Sequence, residues 1–228
     1  RLELHDVRIH DNVADGEALN IQGNADGSVL VERTVFEDNT NTGGGGAAVE
    51  CDTDQASQPP SMEFRQVVFR RNASVGEGFA AGGGVFSRGC NLTFEDVTFD
   101  RNVARLAEGV PPIRGASQTF GGGLAFTDYI GSTTGVALTN VTFVGNSADV
   151  GGGMVQFATG TSLTLILTSV TFADNVAALG GDHIFQNASS AALRNVLFGP
   201  SPGVGCDGSP TPSFTLLGGN IDADGSCG

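Results

Sequence analysis

One short sequence pattern occurs seven times along the chain, and repetition on this scale limits the fold more than any other feature. Each copy begins with two apolar residues that are separated by one residue. Two positions are then skipped, and a valine or similar residue follows. An aromatic residue or isoleucine comes two positions after that residue. Six copies then have an asparagine three positions further on, and the seventh has Ser201 there. The asparagines are Asn12, Asn39, Asn72, Asn102, Asn146 and Asn175.

The spacing within a copy is fixed, whereas the spacing between copies varies. From one motif-ending Ile or Phe to the next, the steps are 27, 33, 30, 44, 29 and 26 residues. A constant core with variable connections is typical of stacked repeats whose loops differ in length. After most asparagines a glycine pair or run precedes a short apolar stretch, as in Gly83-Gly84-Val85-Phe86. This second pattern predicts a glycine turn followed by another short strand.

None of these short strands can bury its apolar side chains alone, but coils stacked at about 4.8 Å can. We therefore predict an all-β chain, a right-handed single-stranded parallel β-helix of about seven coils. It forms one domain over 1–228, with coils over 1–199 and a C-terminal cap over 200–228. An antiparallel sandwich does not explain why the same residue types return at the same offsets. The stack places the asparagines in an internal ladder, beside a column formed by Ile9, Phe36, Phe69, Phe99, Phe143, Phe172 and Phe198.

The pairing of Phe143-x-x-Asn146 with the segment Gly151 to Met154 resembles the repeat of polymorphic outer membrane proteins. That repeat belongs to secreted right-handed parallel β-helices of the pectin-lyase-like superfamily. The tail from Leu216 to Cys227 resembles the closing segment of bacterial secreted β-helix proteins. The resemblance implies this fold and a secreted or surface location. Its implications for function are broad, because such proteins include adhesins and surface proteins of many kinds.

The charge balance excludes some partners. The formal net charge is −14, and all 11 basic residues are arginine. Such an acidic surface repels phosphate backbones and anionic headgroups, so we expect no nucleic-acid partner. No apolar run approaches the roughly 20 residues that a membrane-spanning helix requires, so we expect no membrane insertion.

Four cysteines indicate export. Cys51 and Cys90 occupy matching places in neighbouring coils, within reach of a disulfide bond. Cys206 and Cys227 would close a loop of about 20 residues across the cap, worth roughly 3 kcal/mol. Reduced thiols are the alternative, and metal binding is disfavoured because no Cys-x-x-Cys pair is present. Disulfides favour an extracellular or cell-surface location.

The start of the sequence already reads as a coil, since Leu2 and Leu4 match the first positions of the motif. No N-terminal cap precedes it in the sequence. Because an open coil end exposes unpaired strand edges, we expect self-association through this N-terminal coil.

Four asparagines match the N-glycosylation pattern Asn-x-Ser/Thr: Asn72, Asn91, Asn140 and Asn187. Asn72 belongs to the internal ladder and should be a poor acceptor. Chance matches are common in a chain rich in Asn, Ser and Thr, so the alternative is that none carries a glycan.

Two segments, 24–28 and 222–226, share an Asx-x-Asp-Gly pattern. The carboxylates of Asp26, Asp222 and Asp224 are therefore candidate calcium ligands. Asp-Gly is first of all a turn dipeptide, which is the simpler interpretation. We predict no cofactor, with calcium as the alternative.

Enzymes that cleave acidic polysaccharides need carboxylates, or a metal and a base, that converge in one groove. The nearest candidates are Glu63, Arg65, Glu95, Asp96 and Arg101. The chain has no lysine, no central histidine and only one tyrosine, Tyr129, so little aromatic surface for sugars is expected. We predict that the protein is not an enzyme.

These features favour a non-enzymatic extracellular structural or adhesive module, including the repeating subunit of a filament or surface appendage. The alternative is a carbohydrate-binding or polysaccharide-degrading β-helix. Long insertions at 52–61, 103–119 and 127–135 are the expected binding surface, since long loops frequently bind ligands.

Overall fold

The computed structural model describes residues 1–22, 27–53, 59–111, 119–128, 134–157, 163–187, 190–208 and 213–227. This part of the chain contains no helix and folds into short strands, which we number β1 to β29 in chain order. The strands form three sheets with parallel pairing, and the chain visits the first, second and third sheets in turn before starting again. The predicted parallel β-helix is confirmed.

The first sheet contains the repeated motif, and most coils contribute two strands to it, separated by a bend. In β14 and β18 one longer strand runs through both positions. The strands of this sheet are β1 (Leu2–His5), β2 (Arg8–His10), β5 (Ser28–Glu32), β6 (Val35–Glu37), β9 (Ser61–Arg65), β10 (Val68–Arg70), β14 (Asn91–Asp100), β18 (Gly135–Val144), β21 (Thr164–Thr168), β22 (Thr171–Ala173), β25 (Ser190–Arg194), β26 (Leu197–Phe198), β28 (Ser213–Leu216) and β29 (Ile221–Asp222).

The second sheet follows the asparagines, and the third follows the glycine turns. The second sheet consists of β3 (Val13–Ala14), β7 (Thr40–Asn41), β11 (Ala73–Gly76), β12 (Ala80–Ala81), β15 (Val103–Leu106), β16 (Thr119–Phe120), β19 (Ser147–Val150) and β23 (Val176–Gly180). The third consists of β4 (Leu19–Gln22), β8 (Val49–Asp52), β13 (Val85–Arg88), β17 (Leu124–Thr127), β20 (Met154–Phe157), β24 (Ile184–Asn187) and β27 (Cys206–Gly208).

Each copy of the motif bends at the two skipped positions, and most copies bend again directly before the ladder asparagine; one residue of each bend adopts the left-handed conformation. Such a conformation costs a non-glycine residue roughly 1–2 kcal/mol. Side-chain bonds between coils offset part of this cost: the guanidinium of Arg33 donates to both carboxylate oxygens of Asp6, at 2.7 and 3.0 Å. The bend residues have φ between 47° and 57° and are Asp6, Asp11, Arg33, Asp38, Gln66, Arg71, Asp96, Arg101, Asn140, Ser169, Asp174 and Asn195.

The interior is a continuous stack of aromatic rings. Phe36, Phe69, Phe99, Phe143, Phe172 and Phe198 pair in register across neighbouring coils. Successive ring centroids are 4.6 to 5.3 Å apart, and the rings are nearly parallel. Because all six rings are buried, they form the core of the helix.

Beside the rings runs the asparagine ladder, whose pattern is clearest at Asn102. Its Oδ1 accepts hydrogen bonds from the backbone N–H and Nδ2 of Asn72, at 3.1 and 2.9 Å. Its Nδ2 donates to Oδ1 of Asn146 at 3.0 Å and to the carbonyl of Phe69 at 2.9 Å. The same amide-to-amide bond links each ladder asparagine to the next, from Asn12 to Asn175.

Both predicted disulfides are present. Cys51–Cys90 joins neighbouring coils with a Cα–Cα distance of 6.3 Å, and Cys206–Cys227 joins the last turns with a distance of 5.0 Å. The segment 200–228, predicted as a cap, contains β27, β28 and β29, which extend the third and first sheets. The coil register therefore continues into this segment.

Candidate functional site: a carboxyl cleft on the third sheet

The candidate catalytic residues from the sequence lie on the outer face of the first sheet, where they form exposed pairs. Arg65 Nε donates to Glu63 at 2.7 Å and lies 3.7 Å from Glu95. Asp96 accepts a 2.6 Å hydrogen bond from Asn140, and Arg101 lies 3.2 Å from Asp100 in a separate bend. Exposed pairs of this kind contribute at most about 1 kcal/mol each. They do not converge on one reaction centre.

Two of the candidate calcium ligands, Asp222 and Asp224, accept hydrogen bonds from backbone amide groups of the last turns. Asp222 accepts from the N–H of Cys227 at 2.6 Å, and Asp224 accepts from the N–H groups of Gly205 and Ser226, each at 2.9 Å. Burial would raise the pKa of Asp224, but hydrogen bonds from the hydroxyl and N–H of Ser226 and from the N–H of Gly205 outweigh it and lower that pKa. Asp26 lies outside the described residues. Within the described ranges, no group of three or more His, Cys, Asp or Glu side chains is arranged to hold a metal ion.

The four glycosylation-pattern asparagines differ in accessibility. Asn72 is fully buried in the ladder, so its amide is blocked in the folded chain. Asn140 is exposed in a bend, although its amide bonds Asp96. Asn91 accepts from the N–H of Gly135 at 2.8 Å. Asn187 ends β24, and the other two residues of its pattern lie outside the described residues.

A different set of carboxyl groups meets on the outer face of the third sheet. In β8 the side chains of Val49 and Cys51 point into the core, so alternation directs Glu50 outward. Glu50 nevertheless is only 8% exposed, because the glycine run 43–46 and Glu17 cover it. The backbone N–H of Gly46 donates to Glu50 Oε2 at 3.2 Å.

Glu17 is held against Glu50 by two amide side chains. Asn20 Nδ2 donates to Glu17 Oε2 at 2.5 Å, and Asn41 Nδ2 donates to Glu17 Oε1 at 3.0 Å. Asn41 is itself fixed, since it also donates to the carbonyl of Gly46 at 3.2 Å. The carboxyl groups of Glu17 and Glu50 meet beside Gly45, close enough for each to shift the pKa of the other.

The glycine run makes room for these carboxyl groups. A Cβ atom on Gly45 would lie 2.1 Å from Glu50 Oε2 and 2.9 Å from Glu17 Oε1, and one on Gly43 would lie 2.5 Å from Asp15 Oδ1. Three carboxyl groups therefore occupy the space that side chains at 43 and 45 would fill. Any larger residue at 45 displaces the pair.

The pair shares one proton near neutral pH. Burial, followed by the neighbouring carboxylate of Glu17, raises the pKa of Glu50 to about 8. Burial would also raise the pKa of Glu17, but hydrogen bonds from Glu50, Asn20 and Asn41 outweigh it and leave that pKa below its ordinary value. The two carboxyl groups therefore titrate as a coupled pair, in which the more buried Glu50 keeps its proton to a higher pH than Glu17.

Phe79 forms the wall beside the pair, and two glycines position it. A Cβ atom on Gly44 or Gly76 would lie 2.2 or 1.7 Å from the carbonyl oxygen of Phe79. Gly44 also adopts φ of 87°, which disfavours any side chain. The backbone at Phe79 thus crosses directly over both glycines, while its ring remains 47% exposed.

Two cavities meet at this ring. The first, of about 450 Å³, contains Glu17, Asn20 and Glu50 on its walls. The second, of about 300 Å³, is lined mainly by Phe79, Phe86, Phe120, Ala125 and Phe157. Both include Phe79, Phe86 and Arg88, so we treat them as one cleft, acidic at one end and aromatic at the other.

The expectation of little aromatic surface is wrong, because a row of phenylalanine rings lies at the aromatic end of the cleft. The rings of Phe79 and Phe120 are 5.7 Å apart, those of Phe120 and Phe157 5.0 Å, and those of Phe157 and Phe185 6.3 Å. Except for Phe79, these rings are half-buried. They form an external row that is separate from the internal stack.

Sequence reasoning missed the carboxyl cleft because Glu17 and Glu50 are distant in sequence and belong to no repeated motif. The available signal was the unbroken run Gly43-Gly44-Gly45-Gly46, longer than any single turn needs, followed closely by Glu50.

Comparisons with protein-family models, with curated proteins and with solved structures found no significant match. Among the described residues, no helix has the length and apolar character to cross a membrane.

Proposed function

We propose that the protein is an extracellular, non-enzymatic adhesive module, in which a stiff β-helix presents a ligand-binding cleft on its third sheet. The observation on which this rests is the cleft itself, where fixed polar groups and an aromatic wall meet on a cross-linked scaffold. Ligand sites in proteins combine apolar walls with a few positioned polar groups in this way.

The two disulfides support the extracellular location, since such bonds persist in oxidising compartments. The resemblance of the repeat to that of polymorphic outer membrane proteins is consistent with the same location. Stiffness is useful to an adhesin, because a preorganised cleft loses little conformational entropy on binding.

The carboxyl pair favours binding over hydrolysis. Glycosidases hold their two carboxyl groups about 5–9.5 Å apart, so that the sugar, and in inverting enzymes also a water molecule, fits between them. Glu50 Oε2 and Glu17 Oε1 lie 2.1 and 2.9 Å from the position of a Cβ atom on Gly45, so these oxygens are at most about 5 Å apart, at or below the lower end of that range. The pair is suited to recognising a ligand from one side.

The direct test is whether the protein binds polysaccharides without cleaving them. The purified, oxidised chain should bind immobilised cell-surface polysaccharides and release no reducing sugar from polygalacturonate, alginate or chitin. Turnover that disappears in Glu50→Gln would contradict the proposal and favour the polysaccharide-degrading alternative.

A second candidate role is end-to-end assembly. The first-coil strands β1 to β4 pair on one side only among the described strands, and Leu2 and Val13 are 45% and 73% exposed. Another coil, from a longer form of the chain or from a second copy, would cover this edge. Concentration-dependent growth of the species measured by sedimentation supports self-association, and a monomer at all concentrations contradicts it.

A further inference from the structure

We propose that the cleft binds a linear glycan with protonated amino groups, a polymer of amino sugars, with the ammonium groups at Glu17 and the sugar faces on Phe79. This inference rests on the proposed adhesive function and specifies its ligand.

The charge of the cleft selects the ligand class. Glu17 and Asp15 contribute carboxylates at its acidic end. The nearest cation, Arg88, donates to both carboxylate oxygens of Asp52, at 3.0 and 2.7 Å, so this pair is close to neutral. The acidic end therefore attracts cations and repels uronic acids, and the net charge of −14 acts in the same direction.

The aromatic end selects for sugar rings. Phe79 presents a half-exposed ring next to the carboxyl pair, and Phe86 and Phe120 lie 6.2 and 5.7 Å from it. Sugar rings pack their C–H faces on such surfaces, and an ammonium group near an aromatic face gains a further attraction. A polymer that lies along the stack axis would contact both ends of the cleft.

A cationic peptide fits less well. Peptides that bind to sheets usually add a strand at an edge and use its backbone hydrogen bonds. The cleft lies on the face of the third sheet, where the N–H and C=O groups of β8 and β13 are directed to neighbouring coils. Recognition must therefore use side chains, and those present are planar amides, carboxyls and phenyl rings.

Because the two carboxyl groups differ in their pKa, variants of the pair can be compared for which we expect different affinities. Glu50 keeps its proton to a higher pH than Glu17, so Glu50→Gln changes the charge of the cleft less than Glu17→Gln would. In Glu17→Gln/Glu50→Gln no carboxylate remains in the pair. Phe79→Ala removes an exposed ring and leaves the core intact.

The experiment is calorimetric titration at pH 6 with three hexasaccharides and one peptide: β-1,4-linked glucosamine, its N-acetylated form, oligogalacturonate and hexalysine. Glucosamine hexamer should bind at least tenfold more tightly than the N-acetylated form, and galacturonate should not bind. Glu50→Gln should lose less affinity than the double variant, because the carboxylate of Glu17 remains, whereas the double variant and Phe79→Ala should each lose at least tenfold.

The control is Glu63→Gln/Glu95→Gln on the first sheet, which removes two carboxylates outside the cleft and should leave the affinity unchanged. Equal affinity for the N-acetylated form, preference for galacturonate, tighter binding of hexalysine, or equal losses in both double variants would each overturn the inference. If the chain still adheres to immobilised polysaccharides in that case, the adhesive function stands and only the ligand class fails.

Discussion

At the scale of single residues, the ladder asparagine and the glycine facing it act as a unit. A Cβ atom on Gly153 would lie 3.2 Å from the Phe172 ring and 3.4 Å from the side chain of Asn175, so the glycine makes room for both. In the next coil the asparagine is replaced by Ser201, and His183 replaces the glycine. The His183 ring packs 5.9 Å from Phe172, accepts from Asn175 at Nδ1 and donates from Nε2 to a backbone carbonyl. The imidazole thus fills the space of the missing amide.

Replacing Asn102 by alanine should destabilise the protein by about 2–4 kcal/mol, because buried N–H and C=O partners in two neighbouring coils lose their hydrogen bonds. Urea unfolding followed by circular dichroism measures this loss. Thr139→Ala, on the exposed outer face, is the control and should remain within about 0.5 kcal/mol of the parent. Equal effects of the two substitutions would show that the ladder does not stabilise the stack.

The carboxyl pair predicts a decrease in stability with rising pH. The pKa of Glu50 is about 8 in the folded chain and about 4.5 when unfolded. Between these values the folded state binds more protons, so stability is greatest below pH 4.5 for this group and declines towards pH 8. The lowered pKa of Glu17 acts in the opposite sense, and only below pH 4.5.

We therefore expect the parent to lose about 1–3 kcal/mol more than Glu50→Gln between pH 6 and pH 9. Urea unfolding at both values provides the comparison, and groups common to both chains cancel. If the two chains respond identically to pH, Glu50 is already ionised at pH 6 and the shared proton is absent.

At the scale of elements, the strands of the first and third sheets could be predicted from the sequence, whereas those of the second sheet could not. β14 and β10 show apolar alternation that returns in every copy. Strands of the second sheet such as β3 and β7 are two residues long and have no alternation to detect. They form because neighbouring coils supply partners on either side. The sequence did not predict the carboxyl cleft for a similar reason, because Glu17 and Glu50 approach each other only once the coils are stacked.

The Cys51–Cys90 bond joins β8 to the end of the neighbouring coil, so its contribution belongs to this scale. Replacing both cysteines by alanine should cost about 2–4 kcal/mol, because the unfolded chain gains the freedom of a long loop. Guanidinium unfolding measures the loss. Removing the Cys206–Cys227 pair is the comparison, and it should leave amide-exchange protection in β8 and β13 unchanged. An unchanged midpoint without Cys51–Cys90 would contradict this expectation.

At the scale of the whole molecule, the stack separates two surfaces. The first sheet presents paired charges: Glu37, for example, is buried beneath Arg8, Arg70 and Arg71. Burial would raise the pKa of Glu37, but Arg8 and Arg70 lower it, so its charge is satisfied within the protein. The third sheet instead presents Glu17 with one carboxylate charge beside an open cavity and an exposed ring. The carboxylate of Glu37 is therefore paired with arginine on the first sheet, whereas that of Glu17 is held by amide groups beside the cleft.

The most direct measurement is a crystal structure of the chain soaked with glucosamine hexamer. We expect sugar density in the cleft, with an ammonium group within hydrogen-bonding distance of Glu17 and a sugar ring on Phe79. Density only among the charged pairs of the first sheet, or water alone in the cleft at saturating ligand, would contradict it.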